Sequence, residues 1–218
     1  MANILGKHNS LFNQFIAEIR DEKIQKDSMR FRRNMERLGE IFAYELSKKL
    51  QYETKEVITS LGIAEIQQIK QQPVIASILR AGLPFHYGLL NYFDQAENAF
   101  ISAYRKHDKK GNFDIQVEYL SCPDLTDKVL ILADPMLATG ASMVQTYKEL
   151  ISHGKPSHTF FVSVLASAEG IDFVHKHLSI TDVSIWVGAV DDELTAQAYI
   201  VPGLGDAGDL AFGNKVQY

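Results

Sequence analysis

Cysteine is nearly absent from this chain of 218 residues: Cys122 stands alone. One thiol excludes a disulfide framework and a cysteine-rich metal centre. The seven histidines fall at no spacing that suggests a metal site, so none built from side chains is expected. Positive charge is also short, with 22 Lys and Arg against 27 Asp and Glu, a formal net charge of −5. That balance argues against a broad electrostatic grip on nucleic acid, and no nucleic-acid partner is expected. No run approaches the roughly 18 apolar residues of a membrane span, and Met1–His8 lacks the apolar segment of a signal peptide. Repeats, low-complexity tracts and Ser/Gly linkers are missing too. A cytoplasmic protein with no membrane partner is expected, residues 1–218 forming one domain. Its balance of 46% hydrophobic and 22% charged residues suits a globular core.

What is present alternates between two periodicities. Phe31, Met35, Leu38, Phe42, Leu46 and Leu50 recur three to four apart and predict a long amphipathic helix from about Ser28, after a shorter one over Leu11–Ile19. The long helix's other face carries Arg30, Arg32, Arg33, Glu36, Arg37, Glu40, Lys48 and Lys49. A solvated face is the better reading, with a subunit contact or an anion site as the alternative. Apolar runs predict buried strands over Pro73–Leu79, Asn98–Arg105, Lys128–Ala133, His158–Leu165 and Val183–Val190. Helices are expected over Pro84–Tyr92, from about Ser142, and over Ala168–His177. The polar stretch Lys106–Asn112 and the strand Ile115–Leu120 suggest a hairpin arm projecting from the core. Alternating strands and helices imply an α/β fold: a mostly parallel sheet, covered on both faces, with its ligand beyond the carboxyl ends of the strands. Arg80, Arg105 and Asp134 all stand at such ends.

The most informative stretch runs from Val129 to Ser142. An apolar β-branched run closes on Asp134-Pro135, where proline forbids a continued central strand. Ala138-Thr139-Gly140-Ala141-Ser142 follows, small and hydroxylated, and then a helix begins. A strand, a tight turn and a helix start aim backbone N–H groups and the positive end of a helix dipole at one spot, which suits a phosphate. The Walker pattern is absent, since no lysine stands near Gly140. Asp134 cannot help bind a phosphate, but it can accept hydrogen bonds from two vicinal hydroxyls. Phosphate donors beside a hydroxyl acceptor describe a ribose 5-phosphate site. The plain alternative is a strand–turn–helix with a capping Ser or Thr.

Near the end, Gly203-Leu204-Gly205-Asp206-Ala207-Gly208 is a literal G-x-G-x-x-G. Only ten residues follow Gly208, leaving no room for the helix, strand and acid about 20 residues on that a dinucleotide site needs. A close turn with exposed backbone donors and acceptors fits better, and such a turn can read a flat heterocycle. A glycine-rich turn with no ligand is the competing reading.

Four segments in this order, Ile78-Leu79-Arg80-Ala81-Gly82, Tyr104-Arg105, Asp134–Gly140 and Tyr199–Gly208, resemble the uracil phosphoribosyltransferase family. The likeness runs from about Ser28 to Lys215 and implies the type I phosphoribosyltransferase fold, with a hood built from segments near both termini. It implies transfer of the 5-phosphoribosyl group from 5-phosphoribosyl 1-diphosphate (PRPP) to uracil, giving UMP and diphosphate in pyrimidine salvage. Magnesium would come with the donor's diphosphate. By the same resemblance, Asp134, Pro135, Met136, Leu137, Ala138, Thr139, Gly140, Ala141 and Ser142 would hold the ribose and its 5-phosphate. Arg80 with Ala81 and Gly82, and Arg105 from the arm, would hold the diphosphate. Ile200, Gly205 and Ala207 would read uracil through their backbones, with Asp206 near base and ribose and the candidate base for the uracil N1 proton. A homodimer or larger oligomer and a GTP effector are further expectations of the family.

The chain departs from the family pattern at Ala141, where a second glycine is common, at Leu83–Tyr87, at Gln116–Tyr119, and at Thr195 and Ala198, where Asn and Gly are usual. The Ala141 methyl is expected to narrow the phosphate cradle slightly. Competing functions are a phosphoribosyltransferase for another base, a nucleotide-sensing RNA-binding regulator, and a flavodoxin-like binding module without catalysis.

Overall fold

The computed structural model describes residues 2–107 and 113–215, with backbone only for 103–107 and 113–118. In chain order the elements are β1 (Asn3–Ile4), α1 (Leu11–Arg20), α2 (Ser28–Ser47), β2 (Tyr52–Thr59), β3 (Gly62–Ile69), β4 (Val74–Leu79) and α3 (Gly82–Leu90). Then come β5 (Glu97–His107), β6 (Phe113–Ser121), β7 (Val129–Ala133), β8 (Met136–Leu137) and α4 (Ala141–Leu150). The chain continues through β9 (His158–Ser167), α5 (Ala168–His177), β10 (Val183–Asp191), β11 (Glu193–Leu194), β12 (Ile200–Val201) and α6 (Ala207–Phe212).

The main sheet has the order β1-β10-β9-β7-β4-β5-β6, with β8 paired to β9. Every pairing is parallel except β5 with β6. Alternate residues of the central strands face opposite layers, as strand geometry requires. Ile75, Ile131, Ala133 and Val162 pack with Phe31, Met35, Leu38 and Phe42 of α2 and Phe85 and Leu89 of α3. Val74, Ala76, Leu130, Leu132 and Phe161 pack with Met143, Val144, Tyr147 and Leu150 of α4 and Val174 of α5. The doubly covered parallel sheet expected from the sequence is therefore present.

α3 starts two residues before its expected place, at Gly82, and ends at Leu90. Pro84 is tolerated because the first turn of a helix has no intrahelical partner for its N–H groups. The departure at Leu83–Tyr87 faces largely inward: Phe85 meets Phe42 edge-on at 5.3 Å and His86 lies 4.9 Å from the Phe100 ring. Burial pushes the His86 imidazole down to about 4, so it stays neutral.

The expected hairpin over residues 106–120 is the β5–β6 pair at the sheet edge, while its tip at 108–112 lies outside the described residues. A second hairpin, β2–β3, forms its own two-stranded sheet. Periodicity gave no sign of it, because most residues on both of its faces are exposed and no buried side marks the alternation.

The arginines of α2 are mostly engaged within the chain. Arg30 holds Glu18 through two hydrogen bonds of 2.8 and 2.9 Å, and Arg33 pairs with Glu36 at 2.7 Å. Arg37 lies 5.1 Å from the Phe15 ring, and Arg32 donates to the Ala211 carbonyl at 2.6 Å. That last bond joins the N-terminal helices to α6. Segments from both chain ends thus meet over the carboxyl edge of the sheet, as a hood would.

Candidate active site

β4 and β7 are neighbours in the sheet, and the chain crosses to opposite sides after each, from β4 onward to β5 and from β7 onward to β9. Such a switch point opens a crevice beyond the strand ends. Arg80-Ala81-Gly82 emerges there from β4 and Asp134 from β7. A Cβ on Gly82 would stand 2.3 Å from Ser77 Oγ and 3.3 Å from the Ala133 carbonyl. Glycine is required for α3 to start that close to the two strands.

The loop after β7 is fixed from below. Asp134 donates its N–H to the Val162 carbonyl at 3.1 Å, and its Oδ1 accepts the Met136 N–H at 3.2 Å. Ser167, at the end of β9, donates to the Ala138 carbonyl at 2.5 Å and caps α5 by accepting from Gly170 N–H at 2.8 Å. Gly140 then turns the chain with φ +79°, a left-handed value that favours glycine. A Cβ there would also meet the Gly170 carbonyl at 2.7 Å. α4 follows with no side-chain cap; within its first turn, Thr139 Oγ1 meets only the Ala141 N–H, at 3.4 Å. Unpaired N–H groups and the positive helix end therefore face outward together, the arrangement that takes an anion.

These elements and the C-terminal loop enclose a cavity of about 210 Å³. Of the residues singled out from the sequence, Ala81, Asp134, Met136, Leu137, Ala138, Thr139, Gly140, Ser142, Ile200, Gly205, Asp206 and Ala207 line it. Arg80, Gly82, Pro135 and Ala141 do not, and the Arg105 side chain lies outside the described residues. Ala141, whose methyl was expected to narrow the phosphate cradle, is the first residue of α4, next to lining residues Gly140 and Ser142. Met143, Ala198, Tyr199 and Gly208 also line the cavity. Met143 carried no signal in the sequence because it is equally a core residue of α4. Ala198 has φ +63°, which accounts for a preference for glycine at this turn. Ala198→Gly is expected to stabilise the protein by about 1 kcal/mol, read as an upward shift of Tm; no shift would mean the turn carries no strain.

The two carboxylates of the cavity are tuned in opposite directions. Asp134 keeps a partial opening to solvent but is densely surrounded, and burial pushes its carboxyl up to about 7 against the lowering effect of the Met136 N–H. Burial alone would raise Asp206 as well. There the Lys215 ammonium at 2.8 Å and the Asp209 N–H at 3.0 Å outweigh it and hold the carboxyl below the usual range. Arg80 stands at the rim, donating to Asp209 Oδ1 at 3.1 Å and the Gly213 carbonyl at 3.2 Å. Nothing in the sequence periodicity pointed to Lys215, whose role follows from the fold of the last residues.

A family model described as uracil phosphoribosyltransferase matches residues 7–214. The chain belongs to the uracil phosphoribosyltransferase family. It is 52% identical over 212 residues to the uracil phosphoribosyltransferase of Porphyromonas gingivalis, covering 97% of this chain and 98% of that one. With the enzyme of the same name from Methanothermobacter thermautotrophicus it shares 39% over 189 residues, 86% of this chain and 85% of the other. Among solved structures, the AQ2163 protein of Aquifex aeolicus superposes with a TM-score of 0.86 at 29% identity, over the full length of both chains. In this member of the family, a phosphate-type loop and a glycine loop share one cavity.

Proposed function

We propose that this cavity is where the chain carries out the reaction of its family, transfer of the 5-phosphoribosyl group from PRPP to uracil, giving UMP and diphosphate. The observation that carries the reading is the shared cavity itself: Thr139, Gly140 and Ser142 of the loop, Asp134, and Ile200 and Gly205–Gly208 of the C-terminal loop all border it.

The loop Ala138–Ser142 takes the 5-phosphate through its N–H groups, and Asp134 accepts from the two ribose hydroxyls. Pro135, Met136 and Leu137 shape the wall between them. Arg80, with the Ala81-Gly82 backbone at the start of α3, receives the diphosphate, and Arg105 on β5 serves the same group. Ile200, Gly205 and Ala207 offer backbone groups to the edge of uracil. Asp206, ionised at neutral pH, accepts a hydrogen bond from base or ribose. Held below the usual range it is a weak proton acceptor, so orientation comes first and the N1 proton second.

Breaking the ribose–diphosphate bond leaves positive charge on the sugar ring and negative charge on the leaving group. A carboxylate beside the first and an arginine beside the second are preorganised for that separation, and each such group is typically worth about 3–4 kcal/mol. Grip at both ends of the donor adds orientation. The donor set also fits magnesium, since Asp134 offers the cavity a carboxylate oxygen beside the loop that would hold the donor. Magnesium favours phosphate oxygens and water with few protein ligands. Bound to the diphosphate, it would offset the charge developing there.

Purified protein should form UMP from uracil and PRPP in the presence of magnesium, and much less from hypoxanthine or orotate. Failure with all three bases would overturn the reading. Asp206→Asn keeps an α6 cap, since asparagine is an equally good capping residue. It should raise the KM for uracil about 10- to 100-fold, the loss of a charge-assisted hydrogen bond, with a smaller change for PRPP. Equal binding of both substrates by the variant and the wild type would remove Asp206 from the site.

A homo-oligomer is supported by the tip of the β2–β3 hairpin, where Ile58 and Ile63 are cross-strand partners next to Leu61 and all three are exposed. Exposed apolar side chains grouped in this way favour association. The GTP effector implied by the family resemblance is tested by initial rates of UMP formation with and without GTP.

A further inference from the structure

The loop that lines the base side of the cavity is tied down by two residues outside it. Arg20, the last residue of α1, forks onto Asp191, the last residue of β10, through bonds of 2.8 Å to each carboxylate oxygen. The same Arg20 Nη1 donates to the Gly203 carbonyl at 3.0 Å, and Asp191 Oδ2 accepts the Gly203 N–H at 3.0 Å. Both peptide groups of one loop residue are thus held by one ion pair. The pair is largely withdrawn from water, its side chains 21% and 8% exposed. Two residues beyond Gly203 lies Gly205, where the lining of the cavity resumes.

We propose that Arg20 and Asp191 are positioning residues for the base: by fixing Gly203 at its N–H and its carbonyl, they set where the Ile200–Ala207 backbone presents its donors and acceptors to uracil. This rests on the reading of that loop as the base-binding wall.

Two features favour positioning over bulk stability alone. The fork is bidentate, so it defines direction as well as distance, which a lysine would not. It also joins α1 to a loop 183 positions later in the chain, two residues before that loop lines the cavity at Gly205. A planar base read by main chain has no flexible side chain to absorb an error, so a displacement of the loop passes directly into the hydrogen bonds. Displacements near 1 Å cost reactions about 100-fold. The donor end of the cavity is built on β4, β7 and α4, and the hydrogen bonds of this pair go to the Gly203 loop instead.

The test uses the full chain and steady-state kinetics with each substrate varied in turn. Arg20→Gln should raise the KM for uracil about tenfold or more, a fraction of the 1 Å penalty, and leave the KM for PRPP within about twofold. Arg20→Lys should recover part of the loss, because it restores charge and one bond without the fork. Asp191→Asn, which keeps an acceptor for the Gly203 N–H, should shift the same constant by less, and it serves if Arg20→Gln does not fold. Unchanged uracil KM in these variants, or equal increases for both substrates in step with a lowered Tm, would overturn the proposal. Gly205→Val separates the two levels of the argument, since Gly205 has φ +93° and a β-branched residue there must reshape the loop. If Gly205→Val raises uracil KM and the Arg20 and Asp191 variants do not, only the positioning role fails. If Gly205→Val also leaves uracil KM unchanged while wild type makes UMP, the base-binding reading of the loop fails.

Discussion

Asp134→Asn should lower the rate of UMP formation by about 100- to 1,000-fold, the usual loss when one preorganised polar group is removed from a reacting centre, without unfolding the protein. Asparagine is nearly isosteric and keeps a carbonyl oxygen for the Met136 N–H that Asp134 accepts at 3.2 Å. What disappears is the negative charge beside a ribose ring that becomes positive as diphosphate leaves. The effect on stability has a definite sign. Burial raises the Asp134 carboxyl from 3.8 to about 7 in the folded chain. Between those values the folded state holds a proton that the unfolded state has lost. The stabilisation is therefore complete below about pH 4 and drains away as pH rises through about 7. At about pH 3.5 the carboxyl is neutral in the folded chain and largely so in the unfolded one, and the asparagine variant should melt at nearly the same temperature. At pH 8.5 the wild type must hold a buried charge, and the variant should melt higher. Calorimetry at the two pH values checks this. A variant that melts lower at both would assign Asp134 a structural role.

The same titration should appear in substrate binding. Ribose hydroxyls donate to the ionised carboxylate, so donor binding favours loss of the proton, and donor affinity should rise as pH rises through about 7. That dependence should vanish in Asp134→Asn. The two carboxylates of the cavity thus divide their work by environment: Lys215 keeps Asp206 ionised across this range, while Asp134, raised by burial, takes up charge most readily when the donor arrives.

The part of the site that could be read from the sequence is the part that is contiguous along the chain. Residues Val129–Leu150 spell a strand, a turn and a helix in order, and each step has a local cause: β-branched residues, proline after Asp134, and glycine where φ is +79°. The strand ends at Leu79 and Ala133 were equally plain, since apolar runs stop at a charge. Less could be read where structure depends on distant partners. The β2–β3 hairpin has no buried face to impose an alternating pattern. Arg20 and Asp191 lie 171 positions apart, and each alone is an ordinary charged residue at the end of an element. The raised pKa of Asp134 comes from the density of atoms around it, a property of the folded chain with no local signature.

Arg80→Ala should reduce kcat/KM for PRPP by about 100- to 1,000-fold, with Tm almost unchanged. The Arg80 guanidinium bridges Asp209 and the Gly213 carbonyl, with 44% of its side chain exposed. Exposed ion pairs contribute little to stability, about 0–1 kcal/mol, so removing this one should barely move the melting curve. Its value to the reaction is larger because the leaving diphosphate gains negative charge as the bond breaks, and a cation placed there stabilises that charge. The Asp209 bonds also preset the side chain at the rim, on the C-terminal segment whose Asp206 faces the cavity. Arg80→Lys discriminates charge from geometry. A lysine keeps the cation but loses the fork that matches phosphate oxygens, so a rate between those of wild type and Arg80→Ala is expected. A non-catalytic binding module of the same fold would show no loss in either variant. Full activity of Arg80→Ala would therefore move the diphosphate site away from the end of β4 and leave the α3 N-terminus without a role in transfer.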